Sequence, residues 1–262
     1  MTFVPPAWLG AVLGRAAGSA GMNAWLNSLT TGKALRVSII YRTTLVPSKL
    51  ELLTDWLPTR TWYQVTGSRP ALEKAGGFRL DDPEGEVGIE FMVVADTSGA
   101  EATAYHVPLT YRGSPLEEGE DALVGTTEHG VLGRRWVYDG TRDPVLVTQL
   151  VALIQGEIEA QAQSESHTPD PTVAARPAAA GPVEQAGLAA VDGVTETEVQ
   201  IDLRTGGKLL LRVPRVLVPL AGEAGELSGR GYGYVTATWR LAADALPVRG
   251  VFALAYPLAE LR

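Results

Sequence analysis

Apolar and polar residues alternate, or recur with helical spacing, in a run of short segments that can be read directly along the chain. The β-branched run VSIIYRTTLV (37–46) predicts a strand. PSKLELLTDWLP follows, with Ser48 and Glu51 at capping-box spacing and Leu50, Leu53 and Leu57 on one helical face, and Pro58 ends that helix. RTWYQVTG (60–67) reads as a short aromatic strand, and GFRLDDPEGEVGIEFMVVADTSG as two strands about an Asp-Pro-Glu-Gly turn. In ATAYHVPLTYRG (102–113) the alternation puts Tyr105, Val107, Leu109 and Tyr111 on one face and His106 on the other. ALVGTTEHGVLGRRWVYDG predicts two further strands around Gly125 and Gly130. Asp143 and Pro144 then take the N-cap and first-turn positions of a helix whose stripe is Leu146, Leu150, Leu153 and Ile154, running to about Ala162.

Helices on either side of a run of antiparallel strands imply an α+β domain over 37–162. The next segment, 163–193, opens with QSESHTPDPTVAARPAAAGPVEQAG, rich in Pro, Ala, Ser and Gln without apolar periodicity, and reads as a linker. Beyond it TEVQIDLR, GKLLLRVPRVLVP, GYGYVTATWRL and PVRGVFALAYPL are four strand-like runs, expected to form a smaller C-terminal all-β unit over 194–262. So small a unit is expected to pack on the first domain or on a partner. Residues 1–36 are an N-terminal extension in which Trp8, Leu9, Val12, Leu13, Met22, Trp25, Leu26 and Leu29 recur at helical spacing. They fit either an amphipathic appendage or an extension upstream of the domain. Their apolar run lacks a preceding basic residue and is interrupted by Arg15, which argues against a secretory signal, and the chain has no uninterrupted apolar stretch of bilayer length.

Composition narrows the chemistry. The 262 residues are 45% hydrophobic, enough for a packed core, and the net charge of −8 argues against nucleic-acid binding. With no cysteine, thiolate chemistry and disulfides are excluded, and a count of only three histidines argues against a histidine-built zinc site. TTGKAL lacks the upstream glycine and the Ser/Thr of a phosphate loop, and the glycines of GRGYGY (229–234) have the wrong spacing for a dinucleotide fingerprint. No G-x-S-x-G or H-E-x-x-H occurs.

EHGVLGRRWVYDGTRDPV (128–145) is the densest polar stretch. A phosphotransfer loop needs an aspartate to deprotonate the acceptor and a second group, a few residues on, to hold the metal. Val131 follows His129-Gly130 instead, and the next carboxylate, Asp139, lies a strand away. Asp139 with Asp143 could hold a hard cation, but YDGTRDP equally makes a turn into an N-cap, and the turn reading fits better. A candidate ligand or partner surface consists of His129, Arg134, Arg135, Trp136, Tyr138, Asp139, Tyr105 and Tyr111. Aromatic faces could stack on a saccharide and arginines bind its hydroxyls, although core packing is the default role of such rings. No catalytic residue, cofactor or metal is assigned.

IYRTTLVPSKLELLTDWLPTRTWYQ, GFRLDDPEGEVGIEFMVV, YHVPLTYRGSPLEEGEDALVGTTEHGVLGRRWVYDGTRDPV and QAQSESHTPDPTV together resemble the maltokinase N-terminal cap domain, over roughly residues 38–173. The resemblance implies an actinobacterial, cytoplasmic protein and a curved antiparallel sheet with flanking helices, similar to cystatins. In maltokinases the cap precedes a two-lobed kinase that makes maltose 1-phosphate from maltose and ATP for α-glucan synthesis, and it supplies none of the catalytic aspartates. Here no H-G-D or D-F-E-like pair follows the cap-like region. The expectation is therefore a non-catalytic, cap-like binding or regulatory module. Its partner would be an enzyme of maltose, trehalose or α-glucan metabolism, and a maltose-type saccharide its alternative ligand. A small sugar-binding or sugar-modifying protein is the competing reading.

Overall fold

A computed structural model describes residues 44–163, 168–177, 185–204, 206–220 and 233–258. They all belong to one compact unit, residues 36–262. The extension 1–36, TTGKAL, most of the strand expected at 37–46 and most of GRGYGY lie outside the described residues.

The N-terminal half follows the periodicities closely. Strand β1 (Leu45–Val46) leads into helix α1 (Lys49–Trp56). The capping box forms: Glu51 N donates to Ser48 Oγ at 3.3 Å, and Ser48 N to Glu51 Oε2 at 2.7 Å. Pro58 sits in a single 3-10 turn that ends the helix. Residues 60–67 are turn and coil rather than the expected strand, because Trp62 and Tyr63 are buried through side-chain packing and not through a ladder. Next come β2 (Leu72–Leu80), β3 (Gly88–Asp96), β4 (Thr103–Arg112), β5 (Leu123–His129) and β6 (Gly133–Asp139), paired antiparallel as β5-β6-β4-β3-β2. Helix α2 (Pro144–Gln155) carries Asp143 as N-cap, its side chain accepting from Val145 N. It stops well short of Ala162, because Gly156 takes the left-handed conformation of a C-cap.

β3 has apolar residues on both faces because both are covered. Phe91, Val93 and Ala95 join one core with α2, while Met92 and Val94 join a second core with α1, Trp62, Tyr105, Val107 and Leu109. A continuous apolar run is the expected signature of a strand buried on two sides.

The C-terminal expectation needs correction. The four strands exist, as β10 (Glu196–Leu203), β11 (Lys208–Pro214), β12 (Gly233–Trp239) and β13 (Val248–Leu258), but they are not a separate unit. They continue the same 13-stranded sheet of the described residues, in the order β1-β5-β6-β4-β3-β2-β12-β13-β11-β10-β9, where β9 is Gln185–Asp192. The expected linker contributes β8 (Ala174–Arg176) and the whole of β9, and β7 (Gln161–Ala162) lies just before it. The order starts at β1 and ends at β9, and the sheet is neither closed nor strongly curved, unlike the cystatin-like cap that was expected.

β2 and β12 meet at one register pair, Gly76 with Trp239. A bulge interrupts β2 between Lys74 and Gly76. Gly76 and Gly77 have φ of +152° and +126°, and a Cβ on Gly77 would lie 2.2 Å from Phe91 O, so only glycine fits there. Residues beyond β11 return to β4: His106 N donates to Arg215 O and Leu217 N to Ala104 O, both at 2.9 Å. Apolar residues of β10–β13, among them Val199, Leu211, Val235 and Phe252, share the α2 core. This shared core makes the C-terminal strands inseparable from the first half, which is why their small size needs no partner of its own.

Candidate functional site

The alternation of β6 divides the sequence-predicted residues before any packing is considered. Val137 points into the α1 core, so Arg135 and Asp139 share its side with Tyr105 and Tyr111, while Arg134, Trp136 and Tyr138 point the other way. The eight residues therefore do not converge on one surface.

The hairpin tip between β5 and β6 is the exposed part. His129 Nδ1 accepts from Val131 N at 3.3 Å and Leu132 N at 3.0 Å, closing the turn. Partial burial and the nearby Arg135 charge lower the pKa of His129. Arg134 pairs with Glu128 at 2.9 Å, and Arg135 donates to Leu132 O at 2.9 Å. Tyr138 is buried, and its hydroxyl accepts from Leu116 N at 2.9 Å, anchoring the loop before β5. Trp136 is half-buried opposite Thr126 and Arg112.

Tyr105 is buried among Trp62 and Tyr63, with ring centroids at 6.0 and 5.4 Å, and its hydroxyl accepts from Gln64 N at 3.0 Å. The Tyr105 ring, one of those proposed to stack on a saccharide, is therefore packed against other rings instead. Tyr111 donates to Glu90 Oε2 at 2.6 Å, and the same carboxylate binds Lys49 at 2.5 Å and Gln163 at 2.7 Å. Burial works to raise the pKa of Glu90, but the Lys49 charge and these bonds outweigh it and hold the group below the usual range.

Asp139 is fully buried and is the centre of the densest polar network. Arg215 Nη2 donates to its Oδ1 and Oδ2 at 2.7 and 2.6 Å, and to Thr141 Oγ1 at 2.8 Å. Arg215 Nε donates to Thr197 Oγ1 at 2.7 Å, and the guanidinium lies 5.1 Å from the centre of the Trp62 ring. Thr141 N and Oγ1 and Arg142 Nη1 also donate to Asp139. Burial pushes the Asp139 carboxyl up, but the Arg215 charge and these donors pull it below the ordinary aspartate value. Arg142 reaches on to Asp192 at 3.1 Å. Asp143 belongs to a different set, accepting from Thr110 Oγ1 and Arg112 Nε, both at 2.7 Å, and from Arg112 Nη2 at 2.6 Å.

Asp139 and Asp143 thus serve separate arginines rather than a common cation. Among the described residues no group of three or more His, Cys, Asp or Glu side chains comes together in a metal-binding arrangement. Residue-by-residue reading missed Arg215. Its signal was visible in VPRVLVP, where one arginine interrupts an apolar run and calls for a buried acid. What the run could not show was that the acid would be Asp139. Among the described residues no helix is long and apolar enough to cross a membrane. No curated protein matches the chain. The stretch from the end of α1 to the Asp143 cap, residues 56–143, matches the family model of the maltokinase N-terminal cap domain.

Proposed function

We propose that this chain is a non-catalytic binding or regulatory module of the cytoplasm, serving an enzyme of maltose, trehalose or α-glucan metabolism. The engagement of Asp139 and Asp143 carries this reading. Phosphoryl transfer requires one carboxylate to take the proton of the acceptor hydroxyl and another group to hold the metal. The two aspartates nearest that description are buried, and their oxygens are occupied by Arg215, Thr141, Arg142, Thr110 and Arg112. Both act as joints of the fold, and a substrate could reach them only by displacing those donors. The matched cap-like segment supports the metabolic setting.

Two measurements test the reading together. Purified chain with ATP, magnesium and maltose is followed by phosphorus NMR, with no maltose 1-phosphate expected. Cross-linking in cells followed by mass spectrometry should recover an enzyme acting on maltose, trehalose or an α-glucan. Maltose 1-phosphate that accumulates in proportion to the protein added would refute the non-catalytic role. Recovery of none of those enzymes would refute the partner assignment.

A further inference from the structure

Strand β9 ends the strand order and, among the described residues, pairs only with β10. Exposed edges are usually blunted by a lysine, a proline or an inward charge. From Ala186 to Val191 the strand reads Ala-Gly-Leu-Ala-Ala-Val and has none of these, its one charge being the terminal Asp192, which is turned in to Arg142. An open groove of about 700 Å³ runs against it. Gln185, Ala186, Gly187 and Leu188 all line this groove, although successive side chains of a strand point to opposite faces. The groove therefore follows the backbone edge, and the small side chains leave that edge accessible.

The facing wall is acidic. Glu117, Glu118 and Asp121 line it, and no described residue forms an ion pair with any of the three. Arg142, the one cation among the lining residues, is held by Asp139 and Asp192. Tyr138 anchors the same loop through the backbone of Leu116. A strand edge that no described strand covers offers backbone donors and acceptors to an added strand, and carboxylates that no described residue pairs select for positive charge.

We propose that the groove binds an extended basic segment of a partner protein, which adds to β9 as a further strand and sets its lysines or arginines against Glu117, Glu118 and Asp121. This rests on the reading of the chain as a binding module and supplies the chemistry of the partner. A second copy of the chain is the poorer occupant, since pairing β9 with β9 brings two acidic loops together.

The probe is fluorescein-labelled Ac-KVKVKV-NH2, titrated by anisotropy against the full chain, with hydrogen exchange read on the complex. Saturable binding is expected, with protection of the amides of 186–191. Two changes should each weaken it by at least about tenfold: the triple substitution Glu117→Lys/Glu118→Lys/Asp121→Lys, and a proline at the fourth peptide position, which removes a ladder donor. All three substituted side chains are exposed, Glu117 and Glu118 on a loop and Asp121 in the 3-10 turn that follows it, and circular dichroism checks that the variant is folded. Equal binding of the proline peptide, protection away from β9, no saturable binding, or a dimer of the chain that competes with the peptide would each overturn the proposal. If the α-glucan enzyme is captured equally by wild type and triple variant, the groove is excluded while the module reading stands. Peptide binding as expected, with no such enzyme captured, supports the groove and removes only the metabolic assignment.

Discussion

The Asp139–Arg215 pair joins the cap-like segment to the C-terminal strands, and removing one partner should unfold both halves together. Both side chains are essentially inaccessible, and Arg215 makes its contacts with Asp139 at 2.6 and 2.7 Å. Among the described residues, Arg215→Met leaves a buried carboxylate served by Arg142 and Thr141, and Asp139→Leu leaves a buried guanidinium served by the Thr141 and Thr197 hydroxyls and the Trp62 ring. Breaking a buried pair from one side costs about 3–5 kcal/mol. With a urea m-value of roughly 3 kcal/mol/M, the midpoint should fall by about 1–2 M. Replacing both partners by apolar side chains removes the uncompensated charge, so the double variant should be more stable than the sum of the single losses by at least about 2 kcal/mol. Equilibrium urea unfolding, followed by tryptophan fluorescence and circular dichroism on all four proteins, measures the cycle. A coupling energy near zero, or separate transitions for the two probes, would refute the claim that this pair welds the halves into one cooperative unit.

His106 and Gly77 supply the remaining predictions. Burial, assisted by the Arg215 charge, lowers the pKa of His106 to about 3, and its Nδ1 lies 3.0 Å from Pro214 O, so the neutral ring carries its proton on Nδ1. The unfolded chain takes up a proton as pH falls below about 6.5 while the folded chain does not, so this group should lower stability by about 1.4 kcal/mol per pH unit from there toward pH 3. In His106→Gln the urea midpoint should depend less on pH between 6 and 4, and an unchanged slope would contradict the assignment. Gly77→Ala should lower the melting temperature, with backbone strain alone costing about 1–3 kcal/mol and the clash with Phe91 O adding to it. Thermal melts check this, and a variant as stable as wild type would mean that the β2 bulge can reshape.

Local order was legible along the chain. The Ser48–Glu51 capping box, the alternation of Tyr105, Val107, Leu109 and Tyr111, and the Asp143-Pro144 helix start all depend on residues a few positions apart, and each is found where its pattern puts it. Trp62 and Tyr63 deceived because aromatic content signals burial as readily as a strand. The 163–193 segment deceived because Ala-rich edge strands such as β8 and β9 carry almost no apolar periodicity.

The sequence by itself determined the types of most elements, their caps, the faces of β4 and the absence of thiol chemistry, since these follow from side-chain spacing and identity. Only the tertiary structure decided that the C-terminal strands extend the first sheet, that Arg215 meets Asp139, and that the predicted site residues separate onto two faces and an exposed hairpin tip. The physical reason is one of range. Capping and periodicity act within a few residues, whereas the Gly76–Trp239 junction and the buried ion pair unite segments whose partners are chosen by shape and charge after the chain has folded back.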